Sequence, residues 1–153
     1  MMRTVNLALA FGILLVGAVA AQEIKTDDGS GRTALTLTPP EKAYVLDQMR
    51  QFVGSIQRIV AGLAVGDSAM AVDAAAARGI KRNADDPAFP PTLGTKLPAA
   101  WKQFGGGMRK GFDTLAKGIG DKQDTSQSLR QLGELMNNCV GCHASYRIAD
   151  ARP

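Results

Sequence analysis

The residues best suited to chemistry are the two cysteines and the single histidine of the chain, which lie within five positions of one another. They form the sequence Cys139-Val140-Gly141-Cys142-His143. Side chains three and four residues apart point to the same side of a helix, so Cys142 and His143 share a side with Cys139. This geometry lets two thiols form thioethers with the vinyl groups of a haem while the imidazole coordinates its iron. The motif therefore predicts one covalently bound haem c, with His143 as an axial ligand.

Two other chemistries use the same residue types. A redox-active Cys-x-x-Cys disulfide is typical of a thioredoxin-like βαβ setting, and the sequence shows no run of alternating apolar and polar residues that would predict strands. A structural zinc site needs four ligands in a closed arrangement, whereas the chain has two cysteines and one histidine. The spacing favours haem attachment over both alternatives.

The composition is that of a globular protein with one domain. The chain has 153 residues, of which 45% are hydrophobic and 21% charged, and this excludes a disordered or fibrous chain. The formal charge is +4, but the lysines and arginines are scattered instead of clustered. Nucleic-acid binders usually concentrate such residues on one face, so we expect no nucleic-acid partner.

Residues 1–21 read as a secretory signal peptide. Arg3 supplies a positive start, residues 5–19 are apolar, and Ala18-Val19-Ala20 is a small-residue cleavage signal. We expect cleavage after Ala20 or Ala21 and a periplasmic protein; the alternative is an uncleaved membrane anchor. No later stretch is long and apolar enough to span a membrane. Residues 22–38 are polar and predict a flexible N-terminal segment.

The remaining chain, residues 39–153, predicts four helices. The first begins after Thr38 and ends at Gly66, with an apolar stripe at three- and four-residue spacing. The stripe consists of Val45, Met49, Phe52, Val53, Ile56, Ile59, Val60 and Leu63. The second helix covers about 68–83, the third begins at Pro98, and the fourth begins at Thr125 or Ser126 and continues to about residue 149.

The Pro-rich segment 84–97 separates the second and third helices. Three consecutive glycines, Gly105 to Gly107, lie inside the third helix and either permit close approach of a neighbouring backbone or kink the helix. The predicted fold is all-α, a four-helix bundle with one long crossover between the second and third helices. Cofactor sites in such bundles lie between facing helices.

With these elements in place, the sequence resembles the cytochrome c-prime family. The resemblance covers about residues 39–149 and depends mainly on the haem motif with its continuation to Arg147, close to the C-terminus. Gly66-Asp67, the crossover around Phe89-Pro90 and the helix start at 97–101 add to it. It implies an exported monohaem four-helix bundle that often forms a homodimer.

The resemblance also implies that the first helix faces the iron opposite His143. Some members of the family place a methionine there, and others an apolar residue that leaves five-coordinate iron. Met136 lies on the histidine's own helix and approaches from the same side, the second helix that carries Met70 packs outside in this family, and Met108 is expected to fill the core. Met49, on the inward stripe of the first helix, is the preferred sixth ligand; the alternative is that it only packs in the core.

The resemblance assigns roles to two arginines. Arg50 follows Met49 in a part of the helix where members of the family carry a basic residue near a haem propionate. Arg147 lies one turn after His143, near the imidazole and the haem edge. The alternative for Arg50 is a solvated side chain.

The expected function is one-electron transport between redox partner proteins, with iron bound by His143 and Met49. The alternative is a protein that binds nitric oxide or carbon monoxide at an open distal site shaped by Val45, Leu46, Met49 and Phe52. An enzyme such as a peroxidase needs polar acid–base groups at that site, and the inward positions of the first helix are apolar. We therefore expect no enzymatic activity.

Overall fold

The computed structural model describes residues 29–81 and 86–150, and this part of the chain is mostly helical. Its elements are strand β1 (Thr33–Leu37), helices α1 (Pro39–Val65), α2 (Ser68–Ala76), α3 (Leu93–Lys96), α4 (Ala99–Gly120) and α5 (Thr125–Ser145), and strand β2 (Tyr146–Asp150). The predicted signal peptide lies outside the described residues. Short helix α3 lies within the segment that the sequence predicts as a crossover.

The start of α1 is confirmed and is held by a buried carboxylate. Glu41, at 1% exposure, accepts hydrogen bonds from the backbone N–H of Thr38 (2.8 Å) and from the Lys96 ammonium (2.7 Å) through the same oxygen. Its other oxygen accepts from the Thr92 hydroxyl at 2.7 Å. These contacts connect the first turn of α1 to α3. The helix ends, as predicted, at Gly66, whose φ of 75° is left-handed and favours glycine.

Helix α2 is shorter than the prediction of about 68–83, because it ends at Ala76. After it the chain turns, and the backbone N–H of Ile80 donates to Asp113 of α4 at 3.0 Å. Gly79 approaches Asp113 so closely that a Cβ atom there would overlap the carboxylate. The contact with α4 thus lies where the helix is interrupted at 77–79, and the chain is helical again at Ile80 and Lys81.

The last helix is also shorter than predicted, and the chain contains a sheet that the sequence analysis missed. Helix α5 ends at Ser145 instead of near residue 149, and β2 follows directly. Strand β2 pairs in parallel with β1, with Thr33 opposite Tyr146. Residues 33–37 therefore form a strand, although they were predicted to belong to a flexible segment over 22–38; residues 22–28 lie outside the described part.

Two clusters of buried apolar side chains form the core. The first takes residues from α1, α2, α4 and α5, and in it the Phe52 and Phe112 rings stack with centroids 5.8 Å apart. The second lies at the end of the molecule that carries the sheet and consists of Leu35, Leu37, Val45, Leu93 and Leu97. Strand β1 forms because Leu35 and Leu37 alternate with threonines and bury one face there.

Helices α4 and α5 are antiparallel and approach closely where one side of the contact is glycine. Gly107 meets Asn138, Gly111 meets Leu135, and Gly141 meets the ring of Phe104. A Cβ atom at any of the three glycines would come within 2.6–2.7 Å of the facing side chain. The three glycines at 105–107 continue the helix, and Gly107 supplies the close approach that the sequence suggested.

Substitution of glycine by alanine should change the free energy of unfolding in opposite directions at two positions of α4. Gly111→Ala places a methyl group against the Cβ of Leu135, and overpacking of this kind costs about 1–3 kcal/mol. Gly106→Ala meets no atom within 4 Å, so it gains the better helix propensity of alanine, about 1 kcal/mol. Urea unfolding of the two variants measures both changes; a change of the same sign in both would contradict the described packing.

Glu41 predicts a dependence of stability on pH. The Lys96 ammonium, with the Thr38 N–H and the Thr92 hydroxyl, lowers the pKa of Glu41 from 4.5 to about 2. Because the folded pKa lies below the ordinary one, the contribution of Glu41 is complete above pH 4.5 and is lost as the pH falls towards 2. We expect Glu41→Gln to have a lower melting temperature than the wild type at pH 7. Between pH 5 and 2.5, its melting temperature should fall less than that of the wild type. Glu134→Gln, at an exposed carboxylate of α5, is the control, and equal melting curves for the two variants would refute the assignment.

Candidate functional site

The two cysteines lie in the last two turns of α5, and both are half-buried free thiols. Cys139 packs against the first core cluster, with its Sγ 3.4 Å from the Sδ of buried Met108 on α4. Because Gly141 allows the ring of Phe104 to approach α5, the backbone between the two cysteines is held against α4. The motif is thus fixed on one side by a packed helix.

The environment keeps both thiols protonated. Burial raises the pKa of the Cys139 thiol, and burial, followed by the charge of Cys139, raises that of Cys142. A raised pKa opposes formation of the thiolate, the form that attacks disulfides. At neutral pH the site therefore presents two S–H groups on one helical side.

His143 follows in the last turn of α5 and is exposed. Within residues 29–81 and 86–150 the imidazole has no hydrogen-bond partner, so both ring nitrogens are open to a ligand. In the same part of the chain, no three or more His, Cys, Asp or Glu residues form a group that could hold a metal ion.

Met49 lies on α1, half-buried, and packs against both core clusters. Cys139 packs against the first of these clusters and Tyr146 against the second. Met49 therefore shares a cluster with one residue before and one residue after His143 in the sequence. Met108 is buried and packs in the core, as expected. Whether Met49 binds iron stays a prediction.

The two arginines assigned by resemblance differ in their surroundings. Arg50 is exposed on α1. Arg147 is half-buried on β2, where its partner in the sheet register is Ala34. Because residue 147 is in a strand, Arg147 does not follow His143 by one helical turn, and the predicted relation between the two side chains needs this correction.

The long helices pack in chain order, α1 on α2, α2 on α4 and α4 on α5. Between α1 and α5 the described residues show no packing of comparable extent. The side of α1 that faces α2 carries Ser55 and Gly62, both buried. At about 100° per residue, Met49, Val53 and Val60 lie on the opposite side of this helix.

All three residues were predicted to face inward, and for Val53 and Val60 that prediction is wrong. Val53 is 67% and Val60 43% exposed. The stripe read from the sequence spans too wide an arc of α1, because its packed face is centred on Phe52 and Ile59. The exposed valines form an apolar edge beside Met49.

Helix α5 has a matching edge. Asn138 and Gly141 contact α4, and the side roughly opposite to them carries His143 and three exposed apolar residues, Leu129, Met136 and Val140. We call these two apolar edges together the α1–α5 seam; Met49 lies on the α1 edge and His143 on the α5 edge. The sequence analysis did not predict these exposed apolar residues.

No protein-family model, curated protein or solved structure matches the chain. No helix in the described part of the chain is long and apolar enough to cross a membrane.

Proposed function

We propose that the protein is an exported monohaem c-type cytochrome that carries single electrons between redox partner proteins. The observation that supports this best is the arrangement at the end of α5: two free thiols and an open imidazole lie beside an apolar seam. Cys139 and Cys142 would hold the haem as thioethers, and His143 would be an axial ligand.

The residues present fit this cofactor. A haem is a flat, largely apolar ring, and the seam offers exposed apolar side chains on both walls, including Val53 of α1 and Val140 of α5. The proposal includes the finer fold, a four-helix bundle of α1, α2, α4 and α5 with the crossover between α2 and α4. Shared burial of residues from all four helices in the first core cluster supports it.

Met49 is the proposed sixth ligand, because it lies on the apolar edge of α1 and packs against the same core cluster as Cys139. The haem, when bound, supplies the one-electron chemistry. The thioether would hold the second axial position and raise the reduction potential relative to an imidazole. Buried Val45 and Phe52, one turn before and after Met49, hold it in an apolar environment that disfavours acid–base catalysis.

The rest of the proposal follows the family resemblance. Arg50, exposed near the seam, and Arg147, on β2, are the proposed neighbours of the haem propionates or edge. A periplasmic location after signal cleavage and a homodimer belong to the same proposal.

Covalent attachment of haem and removal of the signal peptide together predict the mass of the mature protein. When the chain is co-expressed with a cytochrome c maturation system, the denatured periplasmic protein should have the mass of residues 21–153 or 22–153 plus one haem. Cys139→Ala and Cys142→Ala should each lower the yield of this species, because each removes one thioether. Intact mass spectrometry measures all three. A chain without haem that carries a Cys139–Cys142 disulfide would refute the haem proposal and support redox chemistry at the thiols.

If Met49 binds the iron, its replacement should change the spin state of the iron. The ferric wild type should be low-spin, and Met49→Leu, which keeps the side-chain volume, should become high-spin and bind carbon monoxide in the ferrous form. Met70→Leu on α2 is the matched control and should leave the spectrum unchanged. Absorption and electron paramagnetic resonance spectra decide between the outcomes. A wild type that is already high-spin and binds carbon monoxide would make gas binding the function and Met49 a packing residue.

A further inference from the structure

A concave site lies on the side of α1 opposite to Met49, Val53 and Val60. It is a cleft of about 820 Å³ between α1, the turn after α2, residues 86–88 and α4. This volume falls in the range of small-molecule sites, about 300–1,000 Å³. Ala76, Ala77, Pro87 and Ala88 supply the apolar part of its lining, and charged and polar side chains supply the rest.

The carboxylates of the cleft are already engaged by groups that carry no charge. Asp86 accepts from the Tyr44 hydroxyl at 2.8 Å and from the backbone N–H of Ala88 at 2.9 Å. These two hydrogen bonds lower the pKa of Asp86. Asp113 accepts from the backbone N–H of Ile80, as described above. Neither carboxylate has a cation within 4 Å among the described residues.

Among the described residues, the arginines of the cleft likewise contact no group of opposite charge. Arg109 donates to the Gln48 amide at 3.2 Å and to the backbone carbonyl of Arg78 at 3.4 Å, and its guanidinium lies 4.9 Å above the ring centre of Phe52. Arg78 donates to the amide oxygen of Gln51, while its buried Nε has no hydrogen-bond partner among the described residues. Both guanidiniums thus contact only uncharged acceptors.

The two arginines are also close to each other. Burial is the main cause that lowers the pKa of Arg109 and the positive charge of Arg78 lowers it further, whereas Tyr44 and the charge of Asp86 raise it. A buried donor without an acceptor costs free energy, and so does the repulsion between two neighbouring cations. A bound anion would reduce both costs. A carboxylate matches the planar fork of donors on a guanidinium.

We propose that this cleft binds a small organic carboxylate, held by Arg78 and Arg109 with its apolar part against the alanines and the proline of the lining. Among the described residues that line the cleft, three cations (Arg78, Lys81 and Arg109) are matched by three carboxylates (Asp47, Asp86 and Asp113). A singly charged ligand fits this balance better than a dianion such as phosphate.

The cleft is independent of the haem proposal. None of its lining residues belongs to the motif at 139–143 or to the walls of the seam. Binding is therefore measured on the mature protein as purified and requires no assumption about the iron. Loss of either proposal leaves the other intact.

The test is a titration of the ¹⁵N-labelled protein with butyrate, followed through the backbone amides of Ile80 and Ala88. Butyramide, the uncharged analogue, and inorganic phosphate are the comparison ligands. We expect saturable shifts with butyrate, none with butyramide, and weaker binding of phosphate. Arg78→Gln and Arg109→Gln should each weaken butyrate binding by about tenfold or more, because each removes a charged donor.

Two further variants keep the test decisive if the loss of Arg109 disturbs folding. Asp86→Asn removes a negative charge from the cleft and should tighten butyrate binding severalfold, an effect that structural damage would not produce. Arg130→Gln, at an exposed arginine of α5 outside the cleft, should change binding less than twofold. Absence of saturation with butyrate, equal binding of butyramide, tighter binding of phosphate, or an Arg130→Gln effect equal to that of Arg78→Gln would each overturn the proposal.

Discussion

The contact between α4 and α5 determines where the chemistry of this protein lies. Because Gly107, Gly111 and Gly141 carry no side chain, the two helices come close enough for Phe104, Asn138 and Leu135 to fill the space between them. Through this contact, one side of α5 packs against α4. The thiol of Cys139 then packs on the core beside Met108, and the edge that carries His143 is left on the far side.

The α1–α5 seam follows from this asymmetry. On its other side, α1 is held against α2 by close packing of Gly62 on Ala71, so each of the two helices is bound to a neighbour that lies away from the seam. The β1–β2 pair connects the two where the chain enters α1 and leaves α5.

The parts of the fold that depend on local chemistry could be predicted from the sequence. Thr38, Pro39 and Glu41 mark the start of α1, Gly66 marks its end, and α4 continues through three glycines because its apolar stripe stays in phase on both sides. The errors lie where distant contacts decide. Helix α2 ends early because Asp113 binds the turn that follows it, and α5 ends at Ser145 because Tyr146 pairs with Thr33, more than 100 residues away in the chain. The alternation of leucine and threonine at 35–38 is the one local signal for the strand.

The site was predictable to a different degree for each of its parts. The spacing of Cys139, Cys142 and His143 is local and needs no fold, whereas the open seam depends on which helices pack together and has no signature in one segment. The pyridine haemochrome spectrum of the purified protein is the decisive measurement, because it reports how many vinyl groups have become thioethers. We expect the spectrum of a haem with both vinyl groups saturated. A spectrum with free vinyl groups, or no haemochrome at all, would contradict this expectation.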